Sequence, residues 1–339
     1  MRIPGPFTDI SGLPCACSVS PRRHGSGHFG TGLIESICQV PPWIEGRDAV
    51  SCLLRIENAS LDAVRQDAAN SNHGLIVHAD DFGETVEITR GICAAIEDGA
   101  VTSTSIMANM PGTADALTRV APLAERASFG VHLNLCEGTP LTPGRTLVNA
   151  AGEFHRKREL LIRSITGRLS VGELEAEISA QIAVIHDSGI RISHIDGHKH
   201  LHQLPIVSTA VSRVLPRFGI TRIRITRVRR LRGNMRAATL VREAFAWRAS
   251  AAFRRAHLCS PHRVLDIQAV MKEGNPQQAA ALLRDTGVVE IFCHPGTALA
   301  DAEKPGSCQR HEELEYLLSP RFKEILKRSG ARPITYWGI

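Results

Sequence analysis

No run of about 18 consecutive apolar residues occurs anywhere in the 339-residue chain, so no segment is built to cross a bilayer as a helix. The first residues also lack a basic start followed by an apolar stretch, so no secretory signal is expected. A disulfide framework is missing as well. The nine cysteines stand at 15, 17, 38, 52, 93, 136, 259, 293 and 308, an odd number at irregular spacing with no CxxC pair to begin a zinc knuckle. Scattered thiols of this kind point to a reducing compartment, the cytoplasm. No internal repeat is present, and no DNA- or RNA-binding motif accompanies the net charge of +6.

What is present divides at about residue 72. Residues 1–72 are rich in Gly, Pro, Ser and Arg, as in PRRHGSGHFGTG at 21–32, and hold no sustained helical or strand period. They read as a disordered or weakly ordered extension, or as sequence upstream of the true start. Residues 73–339 read as one catalytic-size domain.

Within that domain the pattern alternates. GLIVHA at 74–79 is a short apolar run bounded by polar residues, the mark of a buried strand. VEITRGICAAIEDG at 86–99 follows with helical spacing and a glycine stop. Strands are expected again at 102–108, 129–135, 191–196 and 288–294, with PITYW at 333–337 as the last. Ser170-Val171-Gly172-Glu173 forms a capping box ahead of a long helix. Asn275-Pro276 and Ser319-Pro320 each place a cap and an N1 proline before another. Strands alternating with helices predict an α/β fold with a parallel sheet, and this many units favour closure into a distorted βα-barrel of about seven strands.

In such folds chemistry gathers at the carboxyl ends of the strands. The first strand ends in His78-Ala79-Asp80-Asp81-Phe82-Gly83, and a later one carries His132 in GVHLNL. The next runs into His194-Ile195-Asp196-Gly197-His198-Lys199-His200-Leu201-His202, and the late strand ends in Cys293-His294-Pro295-Gly296. Each piece alone has a plain structural reading. An Asp pair can be a turn or a helix cap, a lone histidine a satisfied core residue, a His-rich run a solvated loop. Their recurrence at like ends of separate strands predicts one Asp/His metal site with acid–base groups beside it and coordination positions left open for water and substrate.

HADDFG, TSTSIMAN, GVHLNLCEGTPL, SHIDGHKHLHQLP and EIFCHPG, in this order over about 74–339, resemble the YdjC/ChbG-like carbohydrate deacetylase family, a distant relative of the NodB-type polysaccharide deacetylases. The resemblance implies a distorted βα-barrel that acts on acetylated amino sugars with one divalent metal ion, magnesium or zinc. It implies Asp81, His132 and His198 as metal ligands, Asp80 as general base and His294 as the acid that protonates the leaving amine. Asp196, His200 and His202 are supporting candidates around the ligands. One departure is His78, where many members carry Asn before ADDFG. No substrate-binding residue is assigned.

A metallophosphoesterase is the competing enzyme reading, disfavoured because no carboxylate is placed to bridge a second metal. A non-catalytic glycan-binding protein on the same fold is the other alternative. It would be signalled by loss of the base or a ligand, and none is lost. Arginines crowd the segment 213–263, in TRIRITRVRRLRGNMR and REAFAWRASAAFRRAH. This is either a solvated basic helix whose apolar side faces the core or a surface for anionic lipid headgroups or a lipid-linked substrate. Val241, Phe245 and Ala252 fall near one face of it. A nucleic-acid partner is not expected.

Overall fold

The computed structural model describes residues 73–227, 237–297 and 307–339. The extension expected for 1–72, and part of the arginine-rich segment, lie outside the described residues. The strands are Gly74–Phe82 (β1), Ser103–Ile106 (β2), Ser128–Leu133 (β3), Ile192–Gly197 (β4), Arg263–Asp266 (β5), Val289–Cys293 (β6) and Arg332–Pro333 (β7). The helices are Val86–Glu97 (α1), Thr113–Leu123 (α2), Lys157–Ile165 (α3), Val171–His186 (α4), Pro205–Val214 (α5), Ala237–Arg255 (α6), Ile267–Met271 (α7), Pro276–Leu283 (α8), Ser307–Leu318 (α9) and Pro320–Ser329 (α10). The strands make one parallel sheet in the order β4-β3-β2-β1-β6-β5, with β7 paired to the start of β1. Parallel bridges Ile195–Ile223 and Arg222–Cys259 carry the pairing beyond β4 towards the segment that leads into β5. The sheet therefore curls toward closure, the distorted barrel the alternation predicts.

β1 sits in the middle of this sheet and is buried along its whole length, which is why its sequence is an unbroken apolar run until the polar end. The predicted caps form. Ser170 Oγ accepts from Glu173 N, Asn275 Oδ1 from Gln277 N and Ser319 Oγ from Phe322 N. The box at Ser170 is only half made, because the Glu173 carboxylate turns away to take the amide and hydroxyl of Thr146. The last strand also differs from the reading of 333–337. Only Arg332–Pro333 pairs with β1, and Thr335 then caps a 3-10 turn at Tyr336–Gly338.

The arginine-rich helix α6 presents Ala246, Ala249, Ser250 and Phe253 to the core. Of the three residues that the sequence places near one face, Val241 is exposed, and Phe245 and Ala252 are partly covered. Among the described residues no helix is long and apolar enough to cross a membrane. The five described cysteines, 93, 136, 259, 293 and 308, are free thiols.

Candidate metal centre and acid–base site

β1 delivers two adjacent carboxylates, and its geometry sends them to different partners. The register with β2 slips between Ala79 and Phe82, and Asp81 takes a left-handed backbone conformation with φ 70°. Such a conformation costs a non-glycine residue free energy and persists only where its surroundings hold it. Here two imidazoles and a guanidinium hold it. Asp81 Oδ1 accepts from His198 Nδ1 at 2.9 Å and lies 3.1 Å from His132 Nε2. Asp81 Oδ2 accepts from Arg310 Nη2 at 2.7 Å, and the same guanidinium reaches Glu84 at 2.8 Å. Arg310 thus ties off one carboxylate oxygen and leaves the other facing the two rings.

β3 and β4 supply those rings. His132 and Asp196 are register partners on the two strands, so their side chains stand side by side on one face. His132 Nδ1 donates to Asp196 Oδ1 at 2.8 Å, which points Nε2 at Asp81. A carboxylate behind an imidazole is the arrangement that fixes ring orientation at metal sites. His198 follows directly after β4, at the start of a 3-10 turn in which Lys199 and His200 are left-handed. That kink brings its ring back over the strand end. Glu137 Oε1 lies 3.3 Å from His198 Nε2 and also pairs with Lys199.

One carboxylate oxygen and two imidazole nitrogens, from Asp81, His132 and His198, lie within 4.8 Å of one another. All three residues are buried, and the donor set suits a divalent cation with positions left over. Burial by itself would raise the Asp81 carboxyl, but hydrogen bonds from His132 and His198 outweigh it and hold the group well below its usual value. Burial would lower both imidazoles. Asp196 carries His132 well above its usual value, and Asp81 with Glu137 raises His198.

Asp80 has different company. Against the burial penalty, the guanidinium of Arg224 holds its carboxyl below the usual range. Arg224 Nη1 donates to Asp80 Oδ2 at 2.8 Å, and Nη2 lies 2.8 Å from Oδ1. The same buried side chain reaches Asp196 Oδ2 at 2.9 Å and Glu290 Oε1 at 2.7 Å. Tyr336 donates to the other Glu290 oxygen at 2.7 Å. Arg224 is fully buried, so an arginine read as part of a basic surface is instead an internal ion-pair hub.

His294, just past β6, places Nε2 3.8 Å from Asp80 Oδ2, and its side chain is 32% exposed toward solvent. Its backbone amide donates to Glu313 at 2.6 Å. The remaining candidates lie at the margin. Nε2 of His202 donates to the Arg224 carbonyl at 2.9 Å, and burial pushes its pKa down to about 4. His200 stacks edge-on against Phe292 and faces a neighbouring cleft, with its pKa pushed by burial, and then by Arg224, to about 3. Burial thus favours the neutral form of both rings, and neither joins the donor group of Asp81, His132 and His198.

Sequence reasoning brought together Asp80, Asp81, His132, Asp196, His198 and His294, and missed Arg224, Glu290, Arg310 and Glu137. One signal was available. Glu290 is a charged residue inside the apolar strand VEIFC and demands a buried partner. The partner's identity was not visible.

The molecule is thus a parallel α/β protein with a polar centre gathered at the carboxyl ends of its strands. Comparison with known sequences sharpens this. The family described as YdjC-like protein matches residues 74–328, and the chain belongs to that family. A carbohydrate deacetylase of Geobacillus stearothermophilus is 30% identical over 271 residues, covering 77% of this chain and 96% of the relative. A carbohydrate deacetylase of Mus musculus is 31% identical over 298 residues, covering 76% and 92%. Among solved structures, a candidate cellobiose-phosphate cleavage protein of Enterococcus faecalis superposes with TM-score 0.63 at 24% identity, over 79% of this chain and 98% of that one, a likeness of fold.

Proposed function

We propose that this chain is a metal-dependent hydrolase that removes the acetyl group from N-acetylated amino sugars. The observation that carries the reading is the pairing of a three-donor cluster, Asp81, His132 and His198, with an ionised Asp80 and a solvent-facing His294 on the same strand ends. The names of its relatives, carbohydrate deacetylases, support the substrate class. Asp81, His132 and His198 would hold one divalent cation, and two imidazoles favour zinc or another first-row metal over magnesium. When bound, the cation polarises the acetyl carbonyl and acidifies water.

The chain's own residues supply the proton movements. Asp80, kept ionised by Arg224, accepts a proton from the attacking water as its oxygen bonds to the acetyl carbon. An ionised carboxylate with a depressed pKa is a weak base, so Arg224 trades basicity for a fixed position and charge. His294, beside Asp80 and partly exposed, donates a proton to the sugar nitrogen as the C–N bond breaks, because that nitrogen is a poor anionic leaving group. Acetate and a free amino sugar result. Asp196 orients His132, and Glu137 steadies His198.

The test is acetate release by the purified full-length chain from N,N′-diacetylchitobiose and longer chitooligosaccharides, with and without EDTA and with divalent metals restored. Release that EDTA stops and metal restores is the expected result. One bound metal without release on any acetylated sugar would overturn the substrate class. No metal and no release would favour a glycan-binding protein.

A further inference from the structure

Helix α6 is apolar on two sides, and only one side is used by the fold. Ala246, Ala249, Ser250 and Phe253 make the inner face. At 100° per residue the opposite face carries Leu240, Val241, Ala244, Trp247, Arg248 and Arg255. Leu240 is 49% exposed, Val241 45% and Trp247 62%, so half of the large exposed apolar side chains among the described residues sit on this one helix. Arg248 and Arg255 lie among them, Arg254 on the flank donates to Ser250, and the one acidic residue of the helix, Glu243, lies one turn from Trp247. Glu243 lines a cleft of about 900 Å³ beside the helix.

We propose that the outer face of α6 docks the protein on an anionic lipid bilayer and that the acetylated sugar is met at the membrane surface. The second half rests on the deacetylase reading; the docking does not. Trp and Leu flanked by arginines, on a helix lying along the protein surface, match an interfacial amphipathic helix. Trp settles at the headgroup level, and each arginine gains from the negative surface potential.

Charge decides among the occupants. A second copy of this chain on a two-fold axis would set arginines against arginines. Nucleic acid would meet the arginines but leave Leu240, Val241 and Trp247 facing a polar backbone.

Placement decides the consequence. α6 packs on the 3-10 turn that begins with His198. Arg242 and Glu243 of α6 line the same cleft as His200 and Phe292, and Phe292 touches His294 ring to ring. A bilayer seated on α6 therefore lies next to a cleft whose wall residue Phe292 touches His294. The cleft, flanked also by Arg227 and Asp266, is the passage for a headgroup sugar still tethered to lipid.

The test is co-sedimentation of the full-length chain with phosphatidylcholine vesicles, with and without phosphatidylglycerol. The wild type is expected on the anionic vesicles only, with binding weakened by salt. Arg248→Ala/Arg255→Ala should bind about 25-fold less, about fivefold for each arginine. Trp247→Ser should weaken binding independently of salt. Circular dichroism and turnover of a soluble chitooligosaccharide, unchanged in these variants, separate loss of docking from loss of fold or chemistry. Equal binding by wild type and variants, or none by wild type, would overturn the proposal. A Trp247→Ser variant that turns a dimer into a monomer would assign the face to a second copy instead.

Discussion

Asp80 and Asp81 are neighbours in sequence and stand in two different electrostatic regions. Around Asp81 the partners are two imidazoles, which can exchange protons or yield a place to a cation, and the mostly buried guanidinium of Arg310. Around Asp80 the partner is a permanently charged, fully buried arginine shared with Asp196 and Glu290. Both carboxyls are held below their usual range, by opposite means. One region is titratable and open to a ligand, and the other is locked. The difference teaches that the proposed ligand and the proposed base are distinguished by what surrounds each carboxylate rather than by the residue type, which is the same.

The largest expected effect comes from emptying the titratable side. His198→Ala should abolish stoichiometric metal binding, read by equilibrium dialysis, and lower turnover by about three orders of magnitude or more. Asp80→Asn attacks the locked side. Metal should still bind at one equivalent while kcat falls by about 10²–10⁴-fold; a near-normal rate would remove Asp80 from the role of base. Asp196 belongs to both regions, because it orients His132 and pairs with Arg224. Asp196→Asn should weaken metal affinity by about 10–100-fold and lower kcat as well. A change in only one of the two readouts would show the regions to be independent.

The smallest effect is on pH dependence. His202 is held near 4 in the folded protein against 6.5 as its ordinary value, so the unfolded chain binds its proton first as pH falls. Stability is therefore lost between about 6.5 and 4, by on the order of 1–2 kcal/mol from pH 7 to pH 5. His202→Gln can still donate to the Arg224 carbonyl and should remove the His202 share of the slope in urea titrations, leaving that of His200, which is held near 3.

The alternation of buried strands and capped helices made the fold class legible, because GLIVHA, FGVHLNL and VVEIFCH carry their burial in their composition. The ligating and acid–base candidates were legible because polar residues at strand ends have no packing reason to recur. Arg224 was not. It lies in a run of arginines, and composition cannot tell the one arginine that points inward from those that point out. Nor could the sequence give the register that sets His132 against Asp196, since strand pairing is a long-range property. The orientation of α6 was left open for a related reason. With apolar residues on two sides, periodicity does not say which side the core takes.

Asp80, Asp196 and Glu290 surround one buried guanidinium, Arg224, and Asp81 pairs with Arg310, so buried carboxylates outnumber the guanidinium groups that meet them. In metal-free protein the raised pKa values of His132 and His198 mean that protons make up the difference. A cation entering between those rings must expel them, and metal uptake then becomes a proton-release reaction whose affinity climbs with pH.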